Sequence, residues 1–432
     1  MNPLPPVIGA LLALLCIVGA MAARRKRRLI DDLPTSKCQG VFIGFVELNG
    51  VAEHPSPLTS ALAEIPCVAY SWTVEEHWSR TYTTTDSKGN TTTHHESGWT
   101  TVDSDSRQVP FFLRDDTGAI LVRPDGSRLE CASVFDETVT EDDPLYYGKG
   151  PDTVVANSDR RRRFTEESIP IGARLYVVGQ ARERKDAVAP EIARNEDAPL
   201  FLITVRSEKK VSSGYWWTAL GWDMASLLLL AAGLIFGIQV AEGRVDPSHP
   251  TPYLVAAGAW ILAWILGWSI TAYNSLVNLR QRVRQAWSLV EIQLKRRNDL
   301  IPNLVASVKG FRDHERTLQA ELAGLRAQLE ATPPGKPGPD HRACLPILRA
   351  LVERYPELKA QESFLALQAE LSDTEQRVAL ARAYFNDIAT FYATRLEIVP
   401  DGWLARLAGL KPEALMTASD FERAPVEVKL AA

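Results

Sequence analysis

A chain of 432 residues is long enough for two or more separately cored domains. Its net charge of −5, from 48 Lys and Arg against 53 Asp and Glu, excludes a general nucleic-acid binder, because such proteins carry a basic excess that neutralises phosphates. The five cysteines, Cys16, Cys38, Cys67, Cys131 and Cys344, are odd in number and contain no C-x-x-C pair, which excludes a disulfide framework and fits a reducing compartment.

In chain order, Val7 to Ala23 is the first of three apolar stretches near membrane length; the others are Met224 to Val240 and Tyr253 to Ala272. They predict transmembrane helices at 5–23, 216–240 and 253–272, with a short outer loop at 241–252. Basic residues flanking spans stay on the cytoplasmic side. Arg24 to Arg28 (RRKRR) follow the first span, Arg206, Lys209 and Lys210 precede the second, and Arg280, Arg282 and Arg284 follow the third, whereas the connector carries only Arg244. The predicted topology therefore has the N-terminus outside and both large regions, 36–207 and 273–432, in the cytoplasm. Ala20-Met21-Ala22 has the look of a signal-peptide cleavage site, but residues 1–6 lack a basic start and five basic residues follow, so a reversed anchor is the reading.

Small residues at four-residue spacing, Gly233 and Gly237 in the second span and Ala259, Ala263 and Gly267 in the third, predict close packing of those two helices as a hairpin. Asp223, an ionisable residue at the start of the second apolar run, is a functional candidate by position, but the favoured expectation is that it caps that helix and meets the positive end of its dipole.

Between the first two spans, short alternating runs bounded by turn residues predict a mostly β domain: Val41 to Glu47, Cys67 to Glu75, Val109 to Arg114, Ala119 to Arg123, Ala173 to Gly179 and Leu200 to Val205. Asp-Asp-Thr-Gly at 115–118 predicts the turn of a hairpin over 110–122. Thr81 to Thr93 reads as a polar hairpin tip or loop, and Arg160 to Arg163 as a solvated loop or a contact for anionic headgroups. Cys67, His77, His94 and His95 match no zinc spacing, so no metal, cofactor or catalytic group is assigned. The segments GFVELNG from Gly44, PLTSALAEIPCVAYSWTVEEHW from Pro57, PFFLRDDTGAILVRPDG from Pro110 and ESIPIGARLYVVGQA from Glu167 resemble the membrane-proximal domain, called GIDE or BAM, of the mitochondrial outer-membrane ubiquitin ligases. The zinc-binding RING of those ligases needs clustered Cys and His, which the C-terminal sequence lacks, so ligase activity does not carry over.

From Tyr273 a seven-residue apolar repeat continues out of the third span. Leu276, Val283, Trp287, Val290, Leu294, Ile301, Leu304, Val308 and Phe311 are predicted to form an assembly face, interrupted by Arg280, Arg297 and Glu315. Pro302 predicts a bend. Thr332 to Asp340 predicts a reversal, Cys344 to Tyr355 a short helix, and Phe364, Leu367, Leu371, Thr374, Val378, Ala381, Phe385, Ile388 and Tyr392 an antiparallel return stripe. Buried charge is costly unless paired, so Arg280, Arg297 and Glu315 are expected to face solvent or another protomer, or to pair within the bundle, with Glu375 or Asp373 as the partner of Arg297. The segments from Tyr273 to Glu315 and from Tyr355 to Pro400 resemble the signature regions of the LemA family. That resemblance implies a membrane-anchored antiparallel helical bundle without a known active site, in the cytoplasmic membrane of a bacterium.

The sequence thus predicts a multi-domain integral membrane protein: a mostly β cytoplasmic domain between spans, then an all-α antiparallel bundle. The expected partners are membrane lipids, further copies of the chain and a soluble protein, but no nucleic acid. A self-assembling, non-enzymatic scaffold or adaptor is the leading expectation. A receptor recruiting a soluble partner through the β domain is the alternative, and a metal-dependent hydrolase using the β-domain histidines is a third.

Overall fold

The computed structural model describes residues 4–184, 189–196, 198–242, 251–309 and 362–416. The chain divides into two compact units, Thr35–Val211 and the combination of Met1–Pro34 with Ser212–Ala432.

The first unit contains α2 (Pro144–Gly148) and thirteen described strands. These are β1 (Thr35–Ser36), β2 (Gly44–Glu53), β3 (Leu58–Thr59), β4 (Pro66–Thr85), β5 (Thr91–Gln108), β6 (Phe111–Arg114), β7 (Ala119–Val122), β8 (Arg128–Glu130), β9 (Ala132–Thr140), β10 (Ser158–Pro170), β11 (Arg174–Glu183), β12 (Pro190–Ala193) and β13 (Leu202–Thr204). β2 pairs with β6, β6 with β7, β7 with β12, β12 with β11, and β11 returns to β2, closing a five-stranded barrel. Closure removes the open edges that an isolated sheet would present. Alternation in β2 sends Val46 and Leu48 into the core beside Phe111, Leu113, Ile120, Val177 and Ile192. β11 is buried continuously from Leu175 to Gly179, and a Cβ added at Gly179 would come within 2.8 Å of the Phe201 ring.

The predicted hairpin is β6–β7. Asp115 accepts hydrogen bonds from the backbone of Thr117 (2.8 Å) and Gly118 (3.0 Å), and its other oxygen accepts from the Cys38 backbone at 2.8 Å. Burial opposes the Asp115 charge, but the hydrogen bonds from Thr117, Cys38 and Gly118 hold its carboxyl below the usual range.

A second sheet has the order β3-β4-β10-β9, with β5 pairing β4. Most of Thr81 to Thr93 is strand here, since β4 runs to Thr85 and β5 resumes at Thr91; the turn is limited to residues 86–90, where Asp86 accepts from the backbone of Lys88 and Asn90. The threonine-rich composition favours strand over loop. Beyond Trp78, opposite the start of β10, the β4–β5 ribbon continues as two strands. Arg160 to Arg163 lie in β10 rather than in a loop.

The second unit consists of α1 (Leu4–Asp31), α3 (Glu208–Glu242), α4 (Thr251–Lys309), α5 (Glu362–Glu397) and α6 (Asp401–Leu407). Three of these helices, α1, α3 and α4, include segments long and apolar enough to cross a membrane. Large apolar side chains such as Leu15, Leu228, Phe236 and Val255 stand exposed on them, as side chains facing hydrocarbon do. α4 leaves its apolar segment without a break and stays helical through Pro302 to Lys309. Phe311, Glu315, the reversal at 332–340, the short helix at 344–355 and most of the connector at 241–252 lie outside the described residues, as do the side chains of Ile301, Leu304, Val308 and Phe364.

Candidate functional site

The helical stripe is placed one residue away from the expected positions at two steps. From Leu276 onward, the described buried residues of α4 are Leu276, Leu279, Val283, Ala286, Val290, Leu294 and Arg297, so Leu279 and Ala286 take the central places expected for Arg280 and Trp287. Steps of three then four and of four then three both fit a helix of 3.6 residues per turn, and the sequence pattern alone does not choose between them. The small Ala286 lets α5 approach. Trp287 is displaced to the flank, where its ring meets Phe385 edge-on at 5.4 Å and its Nε1 donates to Glu291 at 2.8 Å. Arg280 is half-buried on the same flank.

Facing this stripe, α5 buries Leu371, Thr374, Val378, Phe385, Ile388, Ala389 and Tyr392. From Leu279 to Leu294 the expected assembly face is therefore covered from within the chain. The physical reason is that an apolar stripe demands a covering helix without specifying which one, and the return segment carries a matching stripe at far higher effective concentration than a second copy. Arg297 Nη1 lies 3.7 Å from Glu375 Oε1, with both side chains buried.

The small residues of the spans meet the first helix. A Cβ on Gly9 or on Gly233 would come within 2.9 Å of the other glycine's Cα, so the backbones of α1 and α3 touch there. A Cβ at Gly267 would collide with the Met21 sulfur of α1. Gly237 is buried, Ala263 half-buried and Ala259 exposed. α3 and α4 do meet through Trp260 Nε1, which donates to Ser226 Oγ at 3.0 Å, but the glycine contacts expected between them are made with α1. Asp223 is not a cap either, because α3 begins at Glu208. Deep inside the helix, its carboxylate takes an ion pair from Arg24, whose guanidinium lies 5.3 Å from the Trp264 ring centre.

Below these contacts, at the polar end of α1, four elements converge on two aspartates. Arg28 donates from both terminal nitrogens to Asp401, at 3.0 and 3.2 Å. Arg395, in the last turn of α5, also pairs with Asp401 and donates to Asp32 Oδ1 at 3.0 Å. Ser275 of α4 donates to the other Asp32 oxygen at 2.5 Å. Burial pushes the Asp32 carboxyl above its usual range, and the opposing pull of Arg395, Ser275 and Arg28 does not restore it. Beside this network a cavity of about 450 Å³ opens between α1 and α4, with Val18 and Ile270 toward its apolar end and Arg25, Arg282, Asn274 and Asn278 toward its polar end. In the sequence Arg25, Arg28 and Arg282 stood out only as topology signals, and Asp32, Arg395 and Asp401 did not stand out at all. The available signal was the Asp31-Asp32 pair after five basic residues and Asp401 after an apolar stripe.

In the β unit, the arginine run conceals a buried charge. Arg162 and Glu76 are fully buried, 3.1 Å apart, and Arg162 also donates to the carbonyls of Tyr146, Pro151 and Thr153 while its guanidinium lies 4.0 Å from the Tyr146 ring centre. Burial raises the Glu76 carboxyl, but hydrogen bonds from Ser158, Tyr146 and Arg162 overcome it and hold the group below its usual range. Arg163 covers Trp99 at 4.4 Å, and Arg160 pairs with Glu141. The run is strand rather than solvated loop, and Arg162 within it is structural, while Arg160 and Arg161 stay exposed. Cys67 is buried at the start of β4. His77 lies 2.6 Å from Asp159, and His95 and His94 contact Thr81 and Thr84 along the ribbon. Among the described residues no three His, Cys, Asp or Glu side chains converge as a metal site.

Apolar helices leading into an antiparallel bundle, with a barrel-containing β domain inserted between the first two, define an anchored two-part architecture. Residues 286–430 match the LemA family model, and residues 79–236 match the GIDE model, described as E3 Ubiquitin ligase. The chain thus carries a LemA-family helical region behind a GIDE-type segment. Protein LemA of Metamycoplasma hominis is 25% identical over 205 residues, covering 44% of this chain and 94% of that protein. Magnetosome protein MamQ of Magnetospirillum gryphiswaldense is 23% identical over 194 residues, covering 38% and 71% respectively.

Proposed function

We propose that the chain is a non-enzymatic scaffold or adaptor of a bacterial cytoplasmic membrane, crossing it three times with both large regions on the cytoplasmic side. The observation that carries this reading is the continuity of α4, which leaves its apolar segment and becomes the core helix of the bundle without a joint, tied at its exit to α1 by Asp32 and Ser275. A helix anchored in this way transmits position rather than performing chemistry. The β unit is covalently continuous at both ends with helices of membrane-crossing character, which holds it near the bilayer. Likeness to LemA and to a magnetosome protein supports a membrane-associated role.

Self-assembly belongs to this proposal and uses faces other than the stripe covered by α5. Its test is the mass and symmetry of the full-length protein extracted with native lipid, by mass photometry and electron microscopy. A closed oligomer is expected; a monomer overturns self-assembly. The receptor reading is favoured by one observation, the two-stranded β4–β5 ribbon, whose outer backbone edges are open to strand addition. A monomer that retains a stoichiometric soluble protein through residues 79–97 would establish that alternative.

A further inference from the structure

We propose that the cavity between α1 and α4 holds the phosphate-bearing headgroup of an anionic phospholipid from the leaflet where α1 ends. The first argument is axial polarity. α1 and α4 run in the same direction here, Met21 beside Gly267 and Asp32 beside Ser275, and both change from apolar to polar at the same level of the cavity wall. Val18, Met21, Ala22 and Ile270 line one part; the charged and amide residues Arg25, Asn274, Asn278 and Arg282 all stand in the other, interleaved with Leu29, Val277 and Leu279. A phospholipid has this same division, an acyl end and a phosphate end, whereas a free phosphate has no use for the apolar wall.

Charge is the second argument. Arg25, Arg28 and Arg282 line the cavity and Arg395 adjoins it through Asp32, while the carboxylates of the cluster are Asp32 and Asp401. Four guanidiniums against two carboxylates leave a positive excess in partly buried surroundings, where an added anion is stabilising. The polar wall also presents mostly donors: guanidinium and side-chain amide N–H groups, with the Asp32 carboxylate occupied by Arg395 and Ser275. Basic pockets at the cytoplasmic ends of membrane helices are the general chemistry of headgroup recognition.

Depth is the third. α6 exposes Trp403 (64%) and Leu407 (88%), with Ile398 and Val399 exposed just before it. Side chains of this kind belong at the boundary between headgroups and acyl chains, and Asp401 at the start of α6 is pinned to Arg28 beside the cavity. The apolar skirt and the arginine-lined cavity therefore lie at one level, that of the headgroups. A volume of about 450 Å³ is within the range of small-molecule sites.

The proposal rests on the membrane-crossing reading of α1 and α4 but not on self-assembly, so a monomeric protein leaves it standing. The test is thermal unfolding of delipidated full-length protein in a non-ionic detergent, with phosphatidylglycerol, phosphatidylcholine or inorganic phosphate added. At a hundredfold excess over Kd, phosphatidylglycerol is expected to raise Tm by roughly 5 to 10 °C, while phosphatidylcholine and inorganic phosphate leave it unchanged. Arg25 and Ala22 are exposed, so replacing them spares the core. Arg25→Gln should weaken the phosphatidylglycerol effect roughly tenfold in concentration, Ala22→Phe should abolish it by filling the cavity, and Lys26→Gln, outside the cavity wall, should preserve it. An equal response to phosphatidylcholine, a response to inorganic phosphate alone, or a phosphatidylglycerol response unchanged in both Arg25→Gln and Ala22→Phe would each overturn the assignment.

Discussion

Buried charge is handled differently in the two units. In the β unit, Arg162 is enclosed by Glu76, three carbonyls and the Tyr146 ring, and the Glu76 carboxyl stays below its usual range in spite of burial. In the helical unit, Asp32 has Arg395 and Ser275 yet stays above its usual range. A sheet explains the first case, because its register fixes Arg162 opposite Glu76 and stacks further polar groups at known spacings. The helical network must draw its partners from α1, α4, α5 and α6, with Arg28 and Asp401 separated by 373 positions, so compensation depends on how several elements meet. Self-contained charge specifies one fold, whereas in the helical network it is the excess of guanidiniums over carboxylates beside the cavity, not the Asp32 carboxylate, that suits an anionic ligand.

Three measurements break or sharpen this contrast. The largest effect is expected from Arg162→Met, which strands a fully buried Glu76 and should destabilise the β unit by about 3–5 kcal/mol. Hydrogen exchange in β4 and β10 of the full-length protein reads it, and a loss below about 1 kcal/mol would show that the pair is not self-contained. A smaller loss, about 2 kcal/mol, is expected from Asp401→Asn, because Arg28 and Arg395 keep partial access to solvent and Arg395 keeps Asp32. Exchange should then rise at the α5–α6 junction and the base of α1 while the β unit is unchanged.

The smallest effect is the opposite response to acid. Glu76 and Asp115 have depressed folded values, so their stabilisation is complete above the usual 4.5 and 3.8 and is lost as pH falls through the lowered folded values. Asp32 has a raised folded value, so its charged form costs stability at neutral pH, and that cost is relieved as pH falls from the raised value toward 3.8. Between neutral pH and about 4, protection at the base of α1 should hold or improve; below that, the β strands should lose protection first. Parallel loss in both units would contradict the contrast.

Particular segments show why some features were legible in sequence and others were not. The β6–β7 hairpin was legible because Asp115-Asp116-Thr117-Gly118 encodes its turn within four residues. β10 was not, because an arginine run has no apolar alternation, and only the position of Glu76 across the sheet makes Arg162 an inward residue. Asp223 was misassigned as a cap because α3 extends fifteen residues upstream, through a polar first turn and a Trp-rich segment.

By itself the sequence determined the three apolar helices, the β character of the inserted domain and the existence of two matched stripes, since each is a local periodicity or composition. For Arg297 the sequence offered Glu375 or Asp373 as a partner within the bundle, and the structure brings Glu375 to 3.7 Å. The packing of α5 on α4 was foreseen by those matched stripes; only the tertiary structure decided that Gly233 meets Gly9, that Leu279 and Ala286 take the centre of the stripe, and that Arg28, Asp32, Arg395 and Asp401 converge. Periodicity states that a face must be buried or a charge answered; which distant segment does so is set by packing across the whole unit.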